Sequence, residues 1–404
     1  MRAHISKILE QYLQMNGSPQ HHSKRLMAID VFRGLTITAM ILVNNPGSWS
    51  YQYWPLAHAH WHGWTPTDLI FPFFLFIVGW SLYASKLASA NGAIDSKGVL
   101  FGALKRTFIL FSLGLFLAVF YININDANFS WFNDRLLSIR IMGVLQRIAL
   151  VYFVVIFIVM YCRFWTQVFI AIALTIAYLI ALYFVPYADA AGVLYQGELA
   201  RGFTFIDYLD SKILTPTHMY LGNLQPFASD PEGIFSTLPA IVTCLSGVWV
   251  AMWMKRTHLT TLFCAKLCGL GILLVVGATY FSSLIPINKP MWTPTYVMLS
   301  SGFACMVLSV LVYLIEIKKH HKSFAPFIVF GINSIAFFMF AGVVGRLLLM
   351  IPVGDSHLKG WFYSNFLDAY LDNYLASFIY SLCFLLISYL AMLFLYRHKI
   401  IWKV

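Results

Sequence analysis

Charge is scarce in this chain. Asp, Glu, Lys and Arg make up 11% of its 404 residues, while 60% are hydrophobic. Soluble domains carry roughly a quarter charged residues, so a water-soluble globular class is excluded and an integral membrane protein is expected. Carboxylates are the scarcer sign, with 16 acids against 27 Lys and Arg. A net charge of +11 would suit nucleic acid, but the cations collect in one set of loops, which points to membrane topology and no nucleic-acid partner. Cysteine is sparse too. Cys162, Cys244, Cys264, Cys268, Cys305 and Cys383 lie in or beside apolar stretches and form no CxxC pair, which argues against structural disulfides and zinc. The first 25 residues contain no continuous apolar core, so no cleavable leader is expected. In that arm Ile5, Ile8, Leu9, Tyr12 and Leu13 share one helix face and predict a short interfacial helix.

What is abundant is apolar sequence in long runs. A membrane helix needs about 20 mainly apolar residues. The runs predict about ten spans, near 30–46, 67–87, 99–121, 143–161, 165–185, 233–254, 261–284, 295–317, 326–350 and 374–396. Alternating β-barrel patterning is absent, leaving helices as the spanning element. The expected class is all-α and polytopic: a basic arm over 1–25, then one membrane domain over 26–404 without internal repeats. Loops joining odd to even spans differ in charge from those joining even to odd. One side and its helix ends hold 19 of the 27 Lys and Arg but four of the 16 acids, Glu10, Asp30, Asp95 and Glu316. The positive-inside rule makes that side cytoplasmic, with both termini on it. The longest outer loop, about 186–232, exceeds the usual length of structureless connections and is expected to fold over the outer mouth.

Polar groups inside spans are costly and mark function by default. Asp30 and Arg33 are three apart and can pair on one helix face. Asn44 lies roughly 16 Å further along the same helix. Gln146 and Arg147 sit just inside the fourth span, where the arginine needs a carboxylate such as Asp68 or Asp230, or a ligand. Asn288, Lys289 and Trp292 occupy an outer loop, and Asn333 and Ser334 a span, where interhelical bonding is the commoner use. The stretch "HAHWHGWTPTDLIFPFFLFIVG" places His58, His60 and His62 ahead of Asp68 and an apolar run. Pro66 and Gly63 disfavour helix before Thr67, and Thr65 or Thr67 can cap the second span with Asp68 in its first turn. The cluster lacks an obvious further set of His or Cys ligands, so no metal is expected. A histidine there suits general-base work.

The blocks "DVFRGLTITAMILVNNPGSW", "HAHWHGWTPTDLIFPFFLFIVG", "GVLQRIALVYFVV", "DPEGI", "INKPMWTPTYV" and "YRHKIIWKV" fall in order over nearly the whole chain. Together they resemble the membrane region of the heparan-α-glucosaminide N-acetyltransferase family. The chain looks like a shorter bacterial member without the large N-terminal luminal region and its preceding span. The resemblance implies transfer of acetyl from cytoplasmic acetyl-CoA to the amine of a glucosamine-type sugar on the other side, with a homodimer as a further expectation. The family's active histidine matches His58 in "HAHWHG", and its asparagine at the end of the first of these spans matches Asn44. His60 and His62 depart from the family's pattern.

Amine acetylation needs a base and a donor to the carbonyl oxyanion, roles that suit His58 and Asn44. CoA phosphates want cations at the cytoplasmic mouth, and Arg33, Arg106 and Lys403 are the candidates. Asp68, Arg147, Gln146, Asp230, Glu232, Asn288 and Trp292 are the candidate sugar contacts beneath the long loop. The rival reading is an amino-sugar transporter without chemistry, since polar spans and tryptophans suit sugar passage equally. Transporters often show paired broken helices, and no such pairing is visible.

Overall fold

The computed structural model describes residues 8–13, 26–84, 96–124, 126 and 128–402. Lys403 and most of the basic arm lie outside the described residues. The spanning helices are α1 (Met27–Asn44), α2 (Ile70–Leu82), α3 (Ser96–Val119), α4 (Val144–Tyr161) and α5 (Phe164–Phe184). A short helix, α6 (Phe205–Leu214), lies in the long loop, followed by α7 (Thr237–Arg256), α8 (Thr261–Phe281) and α9 (Pro294–Leu311). The chain closes with α10 (His321–Ile332), α11 (Ser334–Met350), the short α12 (Leu358–Phe362) and α13 (Asn373–Arg397). Among the described residues, eight helices are long and apolar enough to cross a membrane, and nine if the bent pair α10–α11 counts as one span. The shorter apolar helix Pro66–Leu82 falls on the second expected span. All ten apolar runs are therefore helical. The 70° bend between α10 and α11 falls at Asn333, whose amide bonds the Ile400 carbonyl and accepts the Trp402 N–H. That use of Asn333 is a tether for the C-terminal segment.

Close crossings hold the bundle. Gly79 of α2 faces the Cys244 carbonyl of α7, and Gly247 of α7 faces the Phe76 carbonyl of α2. A Cβ at either position would stand 1.9 or 2.0 Å from the opposite carbonyl oxygen. Gly34 and Gly331 repeat the arrangement between α1 and α10, each against the other helix's backbone. Lipid supplies little hydrophobic drive between helices, so small residues that let backbones approach carry much of the association. The outward faces of α3, α5 and α8 expose Phe108, Phe169 and Leu273, as suits helices bordering lipid. Residues 8–13 are helical, with Ile8 and Tyr12 buried. The Tyr396 hydroxyl donates to the Ile8 carbonyl and the Tyr12 hydroxyl to Asp30, so this segment docks on the basic end of the bundle.

The 186–232 loop is structured. It contains a two-residue antiparallel ladder, Tyr187–Ala188 with Leu194–Tyr195, and α6. Thr204 caps α6 by accepting from the Asp207 N–H, while Asp207 reaches back to the Thr204 backbone. Trp61 Nε1 donates to the Leu199 carbonyl at 2.7 Å, and Arg201 lies over the Trp61 ring while bonding the His60 carbonyl. These contacts bind the loop to the histidine segment. Replacing Gly247 by Ala should destabilise the protein by about 1–3 kcal/mol through overpacking. Gly269→Ala, which meets open space, should be neutral or slightly stabilising. Thermal unfolding in one detergent compares the two, and equal midpoints would remove the crossing from this account.

Candidate active site

His58, Asp68 and Lys289 meet at one end of the bundle. Asp68 is the third residue of a 3-10 turn (Pro66–Leu69) that leads directly into α2. One of its oxygens accepts the backbone N–H groups of Ala59 and Thr65, each at 3.0 Å. The other stands 2.7 Å from His58 Nδ1. A carboxylate so satisfied accepts rather than donates, which assigns the proton to Nδ1 and leaves Nε2 as the basic nitrogen. Asp68 thus both completes the capping box that Thr65 opens and orients His58. The Lys289 ammonium lies 3.1 Å from His58 Nδ1 and 3.3 Å from the same Asp68 oxygen. With Nδ1 donating, the ammonium donates to Asp68. Asp68 is 1% exposed, whereas His58 is open to solvent.

The Lys289 loop is fixed by Asn288, which is fully buried. The Asn288 amide donates to the Trp61 carbonyl at 3.0 Å, and its oxygen accepts the Met291 N–H at 2.9 Å. Gly63 N–H also bonds the Ile287 carbonyl, so two loops distant in sequence are sewn together beside His58. Burial pushes the Lys289 ammonium below its ordinary pKa, against the pull of Asp68 and Glu232. Burial also lowers the His62 imidazole.

A second charge cluster adjoins this one. Arg140 donates Nε to Asp230 at 2.8 Å and Nη2 to Glu232 at 2.5 Å. Arg147 is fully buried, lies over the Trp292 ring at 5.1 Å, and donates to the Gly233 carbonyl and Ser236 Oγ. Burial pushes the Glu232 carboxyl up, but Arg140, Arg147 and Lys289 outweigh it and the net shift is downward. Three carboxylates, Asp68, Asp230 and Glu232, thus face three cations, Lys289, Arg140 and Arg147. Asp210, on α6, is a fourth acid with no cation left to match it. Burial pushes it up to about 7, eased by the Phe235 N–H and by Arg147.

Next to this lattice lies a cavity of about 1140 Å³, between the ends of α1, α3 and α4 and the helices α11 and α13. Asn44 and Gln146 line it. Asn44 is exposed, and Gln146 fills the space that the absent side chain of Gly114 leaves open. Arg147, Trp292, Asn288, Asp230, Glu232 and Asp68 do not line it. These six candidate sugar contacts are buried behind the wall, Trp292 completely so, with its indole N–H donating to Thr243. At the opposite end Arg33 bonds Asp30 at 3.3 Å and Ser81 at 2.7 Å. Arg106 is ten residues along α3 from Ser96, about 15 Å by helical rise, and so lies midway rather than at the mouth. It stacks over Tyr152, and its Nε and the Tyr152 hydroxyl are buried without partners among the described residues. Also among the described residues, no three His, Cys, Asp or Glu side chains are arranged to hold a metal ion.

The missed residue is Lys289. It stands out in "INKPMWTPTYV" beside Asn288 and Trp292 but received no role at the site, because a lysine in a loop gives no signal that it packs against a distant histidine.

Helices crowded through glycine, a histidine–carboxylate pair at one end, and a large cavity that Asn44, Gln146 and Arg140 line but His58 does not, define a polytopic membrane protein with an enzyme-like site. The family described as "Heparan-alpha-glucosaminide N-acetyltransferase, catalytic" matches residues 25–277, and the chain belongs to it. The mouse and human proteins named Heparan-alpha-glucosaminide N-acetyltransferase are each 27% identical over 429 residues. Those matches cover 95% and 94% of this chain but 61% and 60% of the relatives, so the chain spans about three fifths of their length.

The charge balance carries a pH test. An acid whose folded pKa is raised keeps its proton in the native state after the unfolded chain has lost it. Stability therefore falls as pH rises between the model-compound value of 3.8 and about 7. Asp210→Asn should flatten that limb in thermal melts taken across pH 4.5–8. An unchanged slope would show that Asp210 is ionised throughout.

Proposed function

We propose that the protein is a transmembrane N-acetyltransferase that takes acetyl from acetyl-CoA and delivers it to the amine of a glucosamine-type sugar. The observation that carries this reading is the pairing of His58 Nδ1 with buried Asp68, which leaves Nε2 free to accept a proton. The sugar amine attacks the thioester carbonyl, a C–N bond forms and the C–S bond breaks. His58 Nε2 takes the proton released by the amine and returns it to the departing CoA sulfur. Asp68 holds the tautomer and favours the imidazolium as it forms. Lys289 keeps Asp68 ionised and sets the charge beside the ring. The Asn44 amide donates to the carbonyl oxyanion from the cavity wall.

Acetyl-CoA enters at the basic end, which is cytoplasmic, in a bacterial inner membrane. Arg33 stands near that entrance, and Lys403 is assigned with it to the nucleotide. The unpartnered Arg106 and Tyr152 pair, midway along the bundle, suits the amides of the pantetheine arm. The six buried residues behind the cavity wall support the site electrostatically instead of touching sugar. Family membership favours this enzyme over a transporter.

His58→Ala should lower turnover by about 10²–10⁴, the usual contribution of a positioned base, while acetyl-CoA still raises the melting temperature. Asp68→Asn should lose a similar factor by presenting the wrong tautomer. Purified protein, labelled acetyl-CoA and a panel of amino sugars provide the assay. Near-normal turnover in the His58 variant would remove it from the chemistry.

A further inference from the structure

We propose that His62 is a specificity-determining residue of the acceptor site, whose Nε2–H donates a hydrogen bond to an oxygen of the amino sugar. That the ligand is an acceptor rests on the acetyl-transfer reading above; the donor state of His62 does not. The His62 tautomer is set by Asn288. This side chain is fully buried, and its oxygen accepts the Met291 N–H at 2.9 Å. That contact fixes which end of the amide is the NH2, since a flipped amide would set two donors against each other. The NH2 then directs one hydrogen to the Trp61 carbonyl at 3.0 Å and the other to His62 Nδ1 at 3.3 Å. An imidazole nitrogen that accepts carries no proton, so the His62 proton resides on Nε2.

His58 and His62 are therefore opposite tautomers on one short segment. His58 holds its proton on Nδ1 against Asp68 and offers Nε2 as an acceptor. His62 offers Nε2 as a donor. Both lie against the same dipeptide, His58 against the Lys289 ammonium and His62 against the Asn288 amide. The backbone on either side of His62 is anchored as well: the Trp61 carbonyl accepts from Asn288, and the Gly63 N–H donates to the Ile287 carbonyl. Even so, the His62 side chain is open to solvent, and its Nε2 has no hydrogen-bond partner among the described residues. Protonation would turn Nδ1 into a donor facing the Asn288 N–H, and partial burial of the ring opposes the charge too. A neutral donor suits a sugar hydroxyl and does not repel the ammonium beside it. The two imidazoles thus match the two functions of an amino sugar, an amine that gives up a proton and hydroxyls that accept one. The half-buried Trp61 ring, 6.0 Å from the His62 ring, adds the apolar wall that small-molecule sites combine with a few placed polar groups.

Glucosamine titrated by calorimetry without acetyl-CoA reads binding with no turnover. His62→Ala should weaken glucosamine binding about threefold to tenfold, the worth of one neutral hydrogen bond. His62→Gln, whose amide carries an N–H in place of Nε2–H, should recover most of that loss. Acetyl-CoA affinity and the melting temperature should be unchanged in both variants, which certifies folding. Nitrogen-15-labelled histidine gives a second readout, the His62 signals being those missing from the Gln variant. At about pH 6, below the ordinary imidazole value, they should show a bare Nδ1 and a protonated Nε2. Absence of glucosamine binding, or unchanged affinity in His62→Ala, would overturn the proposal, and so would an equal loss in the Ala and Gln variants. An imidazolium, or a proton on Nδ1, would overturn the donor state itself. Acetyl-CoA affinity lost in the Ala variant and restored by Gln would assign the N–H to the acetyl donor and overturn the acceptor contact. If no amino sugar is acetylated while the binding differences hold, the acetyl-transfer reading fails and the sugar contact stands, so the two fail separately.

Discussion

Six charges packed into one end of an apolar bundle must cancel one another, and the site is built around that requirement. Asp68 faces Lys289, Arg140 grips Asp230 and Glu232, and Arg147 lies buried against the Gly233 carbonyl with those acids nearby. Removing one member leaves a buried charge uncompensated, which costs roughly 3–5 kcal/mol. The network is therefore cooperative. It ties the 58–68 segment, the 140–147 stretch, the DPEG turn and the 288–292 loop into a single arrangement. His58 inherits its orientation from that arrangement while remaining open to solvent itself.

The division between buried lattice and open cavity explains how one end can be both rigid and receptive. The lattice provides fixed charge close to His58. The cavity, walled by the amides of Asn44 and Gln146 and by aromatic rings, provides room for a ligand. The long loop closes over the histidine segment through Trp61 and Arg201. Its acids Asp207 and Asp210 are buried and used inward, in the α6 capping box and as a proton-holding carboxyl, while Glu198, Arg201 and Lys212 stay exposed.

Much of this was legible in the sequence because membrane helices announce themselves by length and hydropathy. All ten apolar runs became helices, and a threonine cap with Asp68 in the first turn followed from "TPTD" ahead of an apolar run. The bend at Asn333 was not legible, since an amide within an apolar run reads equally as interhelical bonding. Side-chain direction was the larger gap. Arg147, Trp292 and Asn288 were expected against sugar, yet each points into the protein, because a polar residue at a span end has two faces available and periodicity cannot choose between them. Lys289 failed for the opposite reason: it reads as an ordinary loop cation, and only tertiary contact makes it a neighbour of His58.

The central claim is that acetyl taken at the basic end reaches an amine at the His58 end. Sealed vesicles containing the purified protein in one orientation, basic face outward, test it directly. Labelled acetyl-CoA added outside should acetylate glucosamine trapped inside, and His58→Ala vesicles should not. Acetylation only when both substrates share one compartment would contradict transfer across the membrane, even with the acetyltransferase chemistry intact.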